Sequence, residues 1–166
     1  MTEYLTRAYV PADWQEYRDI RMRSLQDSPD AFGTTYAEAA KYPNSKWQSR
    51  LENITTAHDC PVVAELNGHA VGHAWGRIEP SSKDEANLFQ MWVAPEHRGK
   101  GASRKMLDAV INWAVAQETS SVVLSVTCGN SPAIKLYESA GFEDFGQPEP
   151  LRVGSRTQVQ PMRLML

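Results

Sequence analysis

The stretch VAPEHRGKGASRKML, residues 93–107, joins a short apolar run to the start of a helical pattern through Arg98, Gly99, Lys100 and Gly101. Two glycines beside a helix start cost conformational entropy and lower helix propensity. What they supply is bare backbone: unpaired N–H groups at the positive end of a helix dipole, a natural place for an anion. Arg98, Lys100, Arg104 and Lys105 add positive charge, which suits a pyrophosphate or several phosphates. Taken alone, these residues leave two readings open, a phosphate cradle and a solvated basic turn.

Working outward, residues 86–93 (ANLFQMWV) read as an apolar strand entering the glycine segment. Beyond it, Met106, Leu107, Val110, Trp113 and Ala114 recur at helical spacing, which predicts an amphipathic helix from Ala102 to about Gln117. Upstream, 61–66 and 69–78 flank Asn67-Gly68, the signature of a type I′ hairpin. Residues 3–10 predict a first strand and 14–26 a helix, ended by the turn-rich 27–33, with more helix in 34–56 broken near Pro43. Downstream, 120–126 is a β-branched strand. Asn130, Ser131, Pro132 and Gly141 bracket a helix over 132–140, and 142–146 and 157–166 complete the strands. This order specifies an α+β domain.

The 166 residues fit one domain, 1–166, with 42% hydrophobic and 22% charged residues, a globular balance. A net charge of -3 gives no support to a nucleic-acid partner. The opening MTEYLTRAYVPADW interrupts its apolar residues with Glu3 and Arg7, so neither a signal peptide nor a membrane anchor is expected, and a cytoplasmic protein is. Cys60 and Cys128 read as free thiols.

Among phosphate-binding patterns, a P-loop is absent because position 94 is Ala. A dinucleotide fingerprint matches at Gly99 and Gly101 but meets Arg104 where a third glycine belongs. The third pattern fits. MWVAPEHRGKGAS followed by NSPAIKLYESAGF resembles the GNAT superfamily of acyl-CoA-dependent N-acyltransferases, through Arg98 and Gly101 in [Q/R]xxGx[G/A] and through Asn130, Leu136, Tyr137, Gly141 and Phe142 in the second landmark. Ser103 departs from the pattern, standing where Gly or Ala is usual.

The resemblance implies a mixed, mostly antiparallel sheet flanked by helices and splayed at the acyl-CoA site. It implies that backbone amides of Arg98, Gly99, Lys100, Gly101, Ala102 and Ser103 hold the pyrophosphate of acetyl-CoA. Met91, Trp92 and Val93 would pair with the pantetheine arm, separating from the strand at 121–126 at a bulge. Transfer to the amine would be direct, so Cys128 need not be a nucleophile. Tyr137 would protonate the leaving thiolate, and Asn130 would cap its helix or touch CoA. Glu85, His73 or a water molecule would deprotonate the amine.

No metal is expected from His69 and His73. Trp14, Tyr17, Phe32, Tyr36 and Trp47 are candidates for the acceptor wall, and Asp27 and Asp30 for attracting a cationic amine. Ser125 replaces the Glu that ribosomal-protein N-terminal acetyltransferases carry, which favours a small-molecule amine over a protein. The alternatives are a protein or peptide N-acetyltransferase, a non-catalytic acyl-CoA sensor and a dinucleotide-binding protein. A homodimer stays open.

Overall fold

The computed structural model describes residues 3–166; Met1 and Thr2, at the head of the expected non-signal opening and the proposed 1–166 domain, lie outside them. The chain runs from β1 (Leu5–Ala8) into α1 (Trp14–Asp27), α2 (Tyr36–Ala40) and α3 (Asn44–Glu52). Then follow β2 (Asp59–Leu66), β3 (His69–Ile78), β4 (Glu85–Val93), α4 (Ala102–Ala116), β5 (Ser121–Thr127) and α5 (Ser131–Ser139). Two short strands, β6 (Glu143–Asp144) and β7 (Glu149–Pro150), precede β8 (Gln158–Met165). The sheet order is β1-β2-β3-β4-β5-β8-β6, with β7 on β8. Pairing is antiparallel except between β4 and β5, which is the mixed, mostly antiparallel sheet expected.

Strand periodicity places one core on each face of this sheet. Val62, Ala64 and Ala74 face α4 and meet Met106, Leu107 and Val110, all three with no exposed surface. Val63 and Trp75 face the other way, onto Tyr17, Leu25, Trp47 and Leu51 from α1 and α3. Each fully buried Leu or Val contributes about 1.5–3 kcal/mol, so α4 is fixed along its length and its N-terminus is held at the end of β4. The hairpin turn has Asn67 at φ 52° and Gly68 at φ 80°, both positive as type I′ requires. Thr35 caps α2 by accepting from the Glu38 amide, and Pro43 separates α2 from α3.

β1, β2 and β6 differ from the expectation by two or more residues at one or both ends, and β7 falls in a stretch expected to separate strands. β1 ends at Ala8 because Pro61, whose carbonyl accepts from the Tyr9 amide, has no N–H to return, and Pro11 then turns the chain into α1. β2 begins at Asp59, ahead of Pro61, whose missing N–H falls on the side of Tyr9 at the edge of the ladder, so the pairing of Asp59–Pro61 with β3 is kept. The 142–146 strand shrinks to β6, since Gly146 at φ 71° turns away. Among the described residues no helix is long and apolar enough to cross a membrane.

Candidate active site in the open sheet

The parallel pairing of β4 with β5 covers only Glu85–Ser121, Ala86–Val122 and Asn87–Val123. Beyond Asn87 the strands part. A one-residue slip between β3 and β4 explains why: His73 faces Trp92 and Trp75 faces Phe89, so β4 carries an extra residue there. Gln90 takes the strain at φ 58°, a left-handed conformation that costs a side-chain-bearing residue about 1–2 kcal/mol. Its Oε1 accepts from the Tyr17 hydroxyl at 3.0 Å, and that hydroxyl accepts in turn from Arg50 Nη1 at 3.3 Å. α1 and α3 therefore hold the bulge that opens the sheet.

At the far end of β4, Gly99 (φ 72°) and Gly101 (φ 93°) turn the backbone into α4. The Arg98 amide, expected to belong to this run, donates instead to Pro95 O at 3.3 Å, whereas the amides from Gly99 to Arg104 donate to no protein acceptor among the described residues. Six free donors at the positive end of a 15-residue helix suit an anion such as phosphate.

The basic side chains around it are largely committed elsewhere. Arg98 donates through Nε to Val93 O at 2.9 Å and through Nη2 to Asp27 Oδ2 at 2.6 Å. Lys105 reaches Tyr4 O, Lys100 reaches Glu96 O, and Arg104 bridges Asp108 and Ser139. The cradle is thus backbone, with the side chains as its braces.

A cavity of about 750 Å³ extends from this cradle into the gap, and Met91–Val93, Arg98, Gly99, Gly101–Ser103, Asn130 and Tyr137 all line it. Lys100 does not line it, although its amide belongs to the free run. Trp92 turns its indole into the α1 core, where Nε1 donates to Asp27.

Tyr137 rides on α5, whose start is set by Asn130 Oδ1 accepting from the Ala133 amide and by Pro132 in the first turn. Its ring packs edge-on against Phe142 at 5.8 Å and is 7% exposed. Burial pushes its phenol up to about 12, so it carries its proton at neutral pH. A second cleft, about 1010 Å³, opens on the other side of the gap, and Met91, Thr127, Asn130, Ala133 and Tyr137 line both. Tyr137 stands where the two meet.

The structure does not bring Glu85 to this place. It sits at the start of β4 beside Ser121, six residues from Met91 or about 20 Å of strand, and lines none of the clefts. His73 is also removed: it is fully buried, with Nδ1 3.3 Å from the Tyr9 hydroxyl, and burial lowers its imidazole to about 3. His69 is exposed.

Of the aromatic candidates, Phe32 lines the larger cleft and Tyr17 a third one of about 350 Å³. Trp47 is core, Trp14 packs at its edge, and Tyr36 is exposed. Asp27 is a brace rather than an amine trap: Ser28, Trp92 and Arg98 donate to it and hold its carboxyl down at about 2. Asp30 engages through its backbone carbonyl, which accepts from Thr127. Cys128 is an unpaired thiol at the cavity wall and Cys60 a half-buried one, raised to about 11 by burial.

Sequence reading passed over Arg21 and Arg50, which line the larger cleft. The available signal was an arginine inside the apolar stripe Tyr17, Ile20, Leu25 of α1.

The model of the acetyltransferase (GNAT) family matches residues 14–142. The chain belongs to that family. Mycothiol acetyltransferase of Kocuria rhizophila is 37% identical to this GNAT chain over 137 residues, 81% of the chain and 44% of the relative. Probable N-acetyltransferase family 8 member 5 of Mus musculus is 34% identical over 107 residues, 60% of the chain and 47% of the relative. The chain spans about half the length of these curated relatives. Among solved structures, yncA of Salmonella typhimurium, determined with acetyl-CoA, superposes with a TM-score of 0.82 at 22% identity, covering 99% of this GNAT chain and 94% of the other. That likeness is one of fold.

Proposed function

We propose that residues 1–166 act as one N-acetyltransferase domain, which moves the acetyl group of acetyl-CoA to a primary amine, a small molecule in preference to a protein. The observation that carries this reading is the run of free amides from Gly99 to Arg104, opening into a gap in the sheet at whose centre lies a protonated tyrosine.

In this reading the Gly99–Arg104 amides hold the pyrophosphate and the unpaired edge of β4 at Met91–Val93 orients the pantetheine arm. Acetyl-CoA, as a substrate, brings a thioester whose carbonyl carbon an amine attacks. The new C–N bond forms as the C–S bond breaks, and Tyr137 gives its phenolic proton to the departing sulfur. Solvent returns a proton to Tyr137. The amine loses its own proton to water in the open cleft, since neither Glu85 nor His73 lines it.

Ser125 lines the acceptor cleft where the N-terminal acetyltransferase pattern has Glu, which favours the small-molecule acceptor. The test combines melting shifts by acetyl-CoA, CoA and NAD with thiol release against pools of amino acids, polyamines, aminoglycosides and short peptides. Stabilisation by acetyl-CoA and CoA, with release from a small-molecule pool, is expected. Stabilisation by NAD alone, or no release from any pool, contradicts the proposal.

A further inference from the structure

The larger cleft is lined by two arginines that have no counter-ion among the described residues. Arg21 lies on the buried face of α1 and is 5% exposed. Its guanidinium stacks 4.7 Å over the Phe32 ring, and Nη1 is buried with no partner. It lines the 1010 Å³ cleft and neither of the others.

Arg50 lines the same cleft. Its Nη1 donates to the Tyr17 hydroxyl, and its guanidinium leans on Tyr42 and Trp47 at 5.6 and 5.8 Å. Among the described residues neither arginine meets a carboxylate, whereas Arg7, Arg18, Arg23, Arg77, Arg98 and Arg104 each do. The acid in the lining of that cleft, Glu149, is exposed on β7 and paired with neither.

Burial, with the nearby charge of Arg50, draws the Arg21 guanidinium down to about 10, so it remains charged at neutral pH. A guanidinium kept buried without a partner costs stability. A carboxylate supplies both the missing charge and a planar pair of acceptors.

We infer that the acceptor amine also bears a carboxylate, as a free amino acid does, and that Arg21 and Arg50 hold it. Arg21 projects from α1 and Tyr137 from α5 onto one cleft, so the two ends of such a ligand have separate sites. The anion anchors the molecule and leaves its amine free to face the thioester. The fate of that amine rests on the acetyltransferase reading; the binding of the acid does not. A polyamine lacks the anchoring group.

The test measures binding of the proteinogenic L-amino acids and their matched carboxamides to the CoA-saturated protein, by calorimetry and melting shift, in wild type, Arg21→Met and Arg50→Met. At least one amino acid is expected to bind roughly tenfold or more tightly than its carboxamide. Either variant should erase that preference, and Arg21→Met should do so while keeping the shift caused by CoA. Arg21→Met should also raise the ligand-free melting temperature, because it removes an unpaired buried charge.

Equal binding of acid and amide, no binding of any amino acid, or a preference that survives in both variants overturns the inference. Thiol release from acetyl-CoA is followed in parallel. Arginine-dependent binding without release upholds the carboxylate site and removes the transferase reading instead.

Discussion

Asp27 and Arg98 are joined by a 2.6 Å ion pair that ties the end of α1 to the first residue of the glycine turn. The same carboxylate oxygen accepts from Trp92 Nε1 at 3.1 Å, and Arg98 Nε reaches back to Val93 O. One carboxylate thereby registers α1, the bulged strand and the glycine turn that precedes α4. Both partners are too exposed for the pair to add much to global stability, so its effect should appear in binding.

Arg98→Ala removes the bonds to both Asp27 and Val93 and should weaken acetyl-CoA binding roughly tenfold, with a small change in melting temperature. Asp27→Asn keeps a neutral acceptor for Trp92 and leaves Arg98 on Val93, so its effect should be smaller. Calorimetric titration of CoA into the two variants checks the order; the reverse order removes the brace from the account.

Gly101 at φ 93° has open space around an added Cβ, so crowding is not the obstacle to a side chain there. The obstacle is backbone conformation, at about 1–2 kcal/mol for Ala. Gly101→Ala should weaken CoA binding about tenfold as the turn relaxes and the amides diverge. Unchanged affinity would mean that these amides do not contact the ligand.

Gly72 presents the opposite case. A Cβ there would lie 2.5 Å from Trp92 O, a backbone atom of β4 beside the bulge. Gly72→Ala should cost about 1–3 kcal/mol in urea unfolding and should weaken CoA binding as well, since β4 must shift. Loss of stability with intact binding would separate the bulge from the site.

His73 sets a pH dependence for the fold. Its imidazole titrates near 3 in the native protein against 6.5 in an unfolded chain, because burial and the charge of Arg21 disfavour the cation. Stability from this group is complete above about 6.5 and falls as pH drops toward 3, where the unfolded chain binds a proton that the folded one refuses. Between pH 7 and 5 the loss amounts to about 2 kcal/mol. Urea unfolding of His73→Gln should lack this slope; an identical slope in wild type and variant assigns it to other groups.

Features set by local chemistry were legible in the sequence. Asn67-Gly68 specifies its turn by the φ values it tolerates, and the two glycines before α4 announced free amides. Asn130, Pro132 and Gly141 marked the helix that presents Tyr137. What depends on distant contacts was hidden. The bulge at Gln90 is held by Tyr17, far away in the chain, and strand periodicity alone cannot count the extra residue. Charge at the glycine turn is less available than the sequence suggests, because Lys100, Arg104 and Lys105 each find another protein partner once folded. Glu85 has the carboxylate and the strand that a base would need, but position along that strand decides reach. Arg21 looked like an ordinary member of a helical stripe until its partners were seen to be missing.

The most direct measurement is steady-state turnover of Tyr137→Phe, with the amine that gives the strongest thiol release, beside its acetyl-CoA dissociation constant. In the proposed reaction the phenol donates a proton to the leaving sulfur, and removing its hydroxyl keeps the ring packed on Phe142. A proton-donating Tyr137 predicts that kcat falls about a hundredfold or more while acetyl-CoA binding stays within about twofold. Turnover equal to wild type, or a fall explained entirely by weaker acetyl-CoA binding, contradicts it.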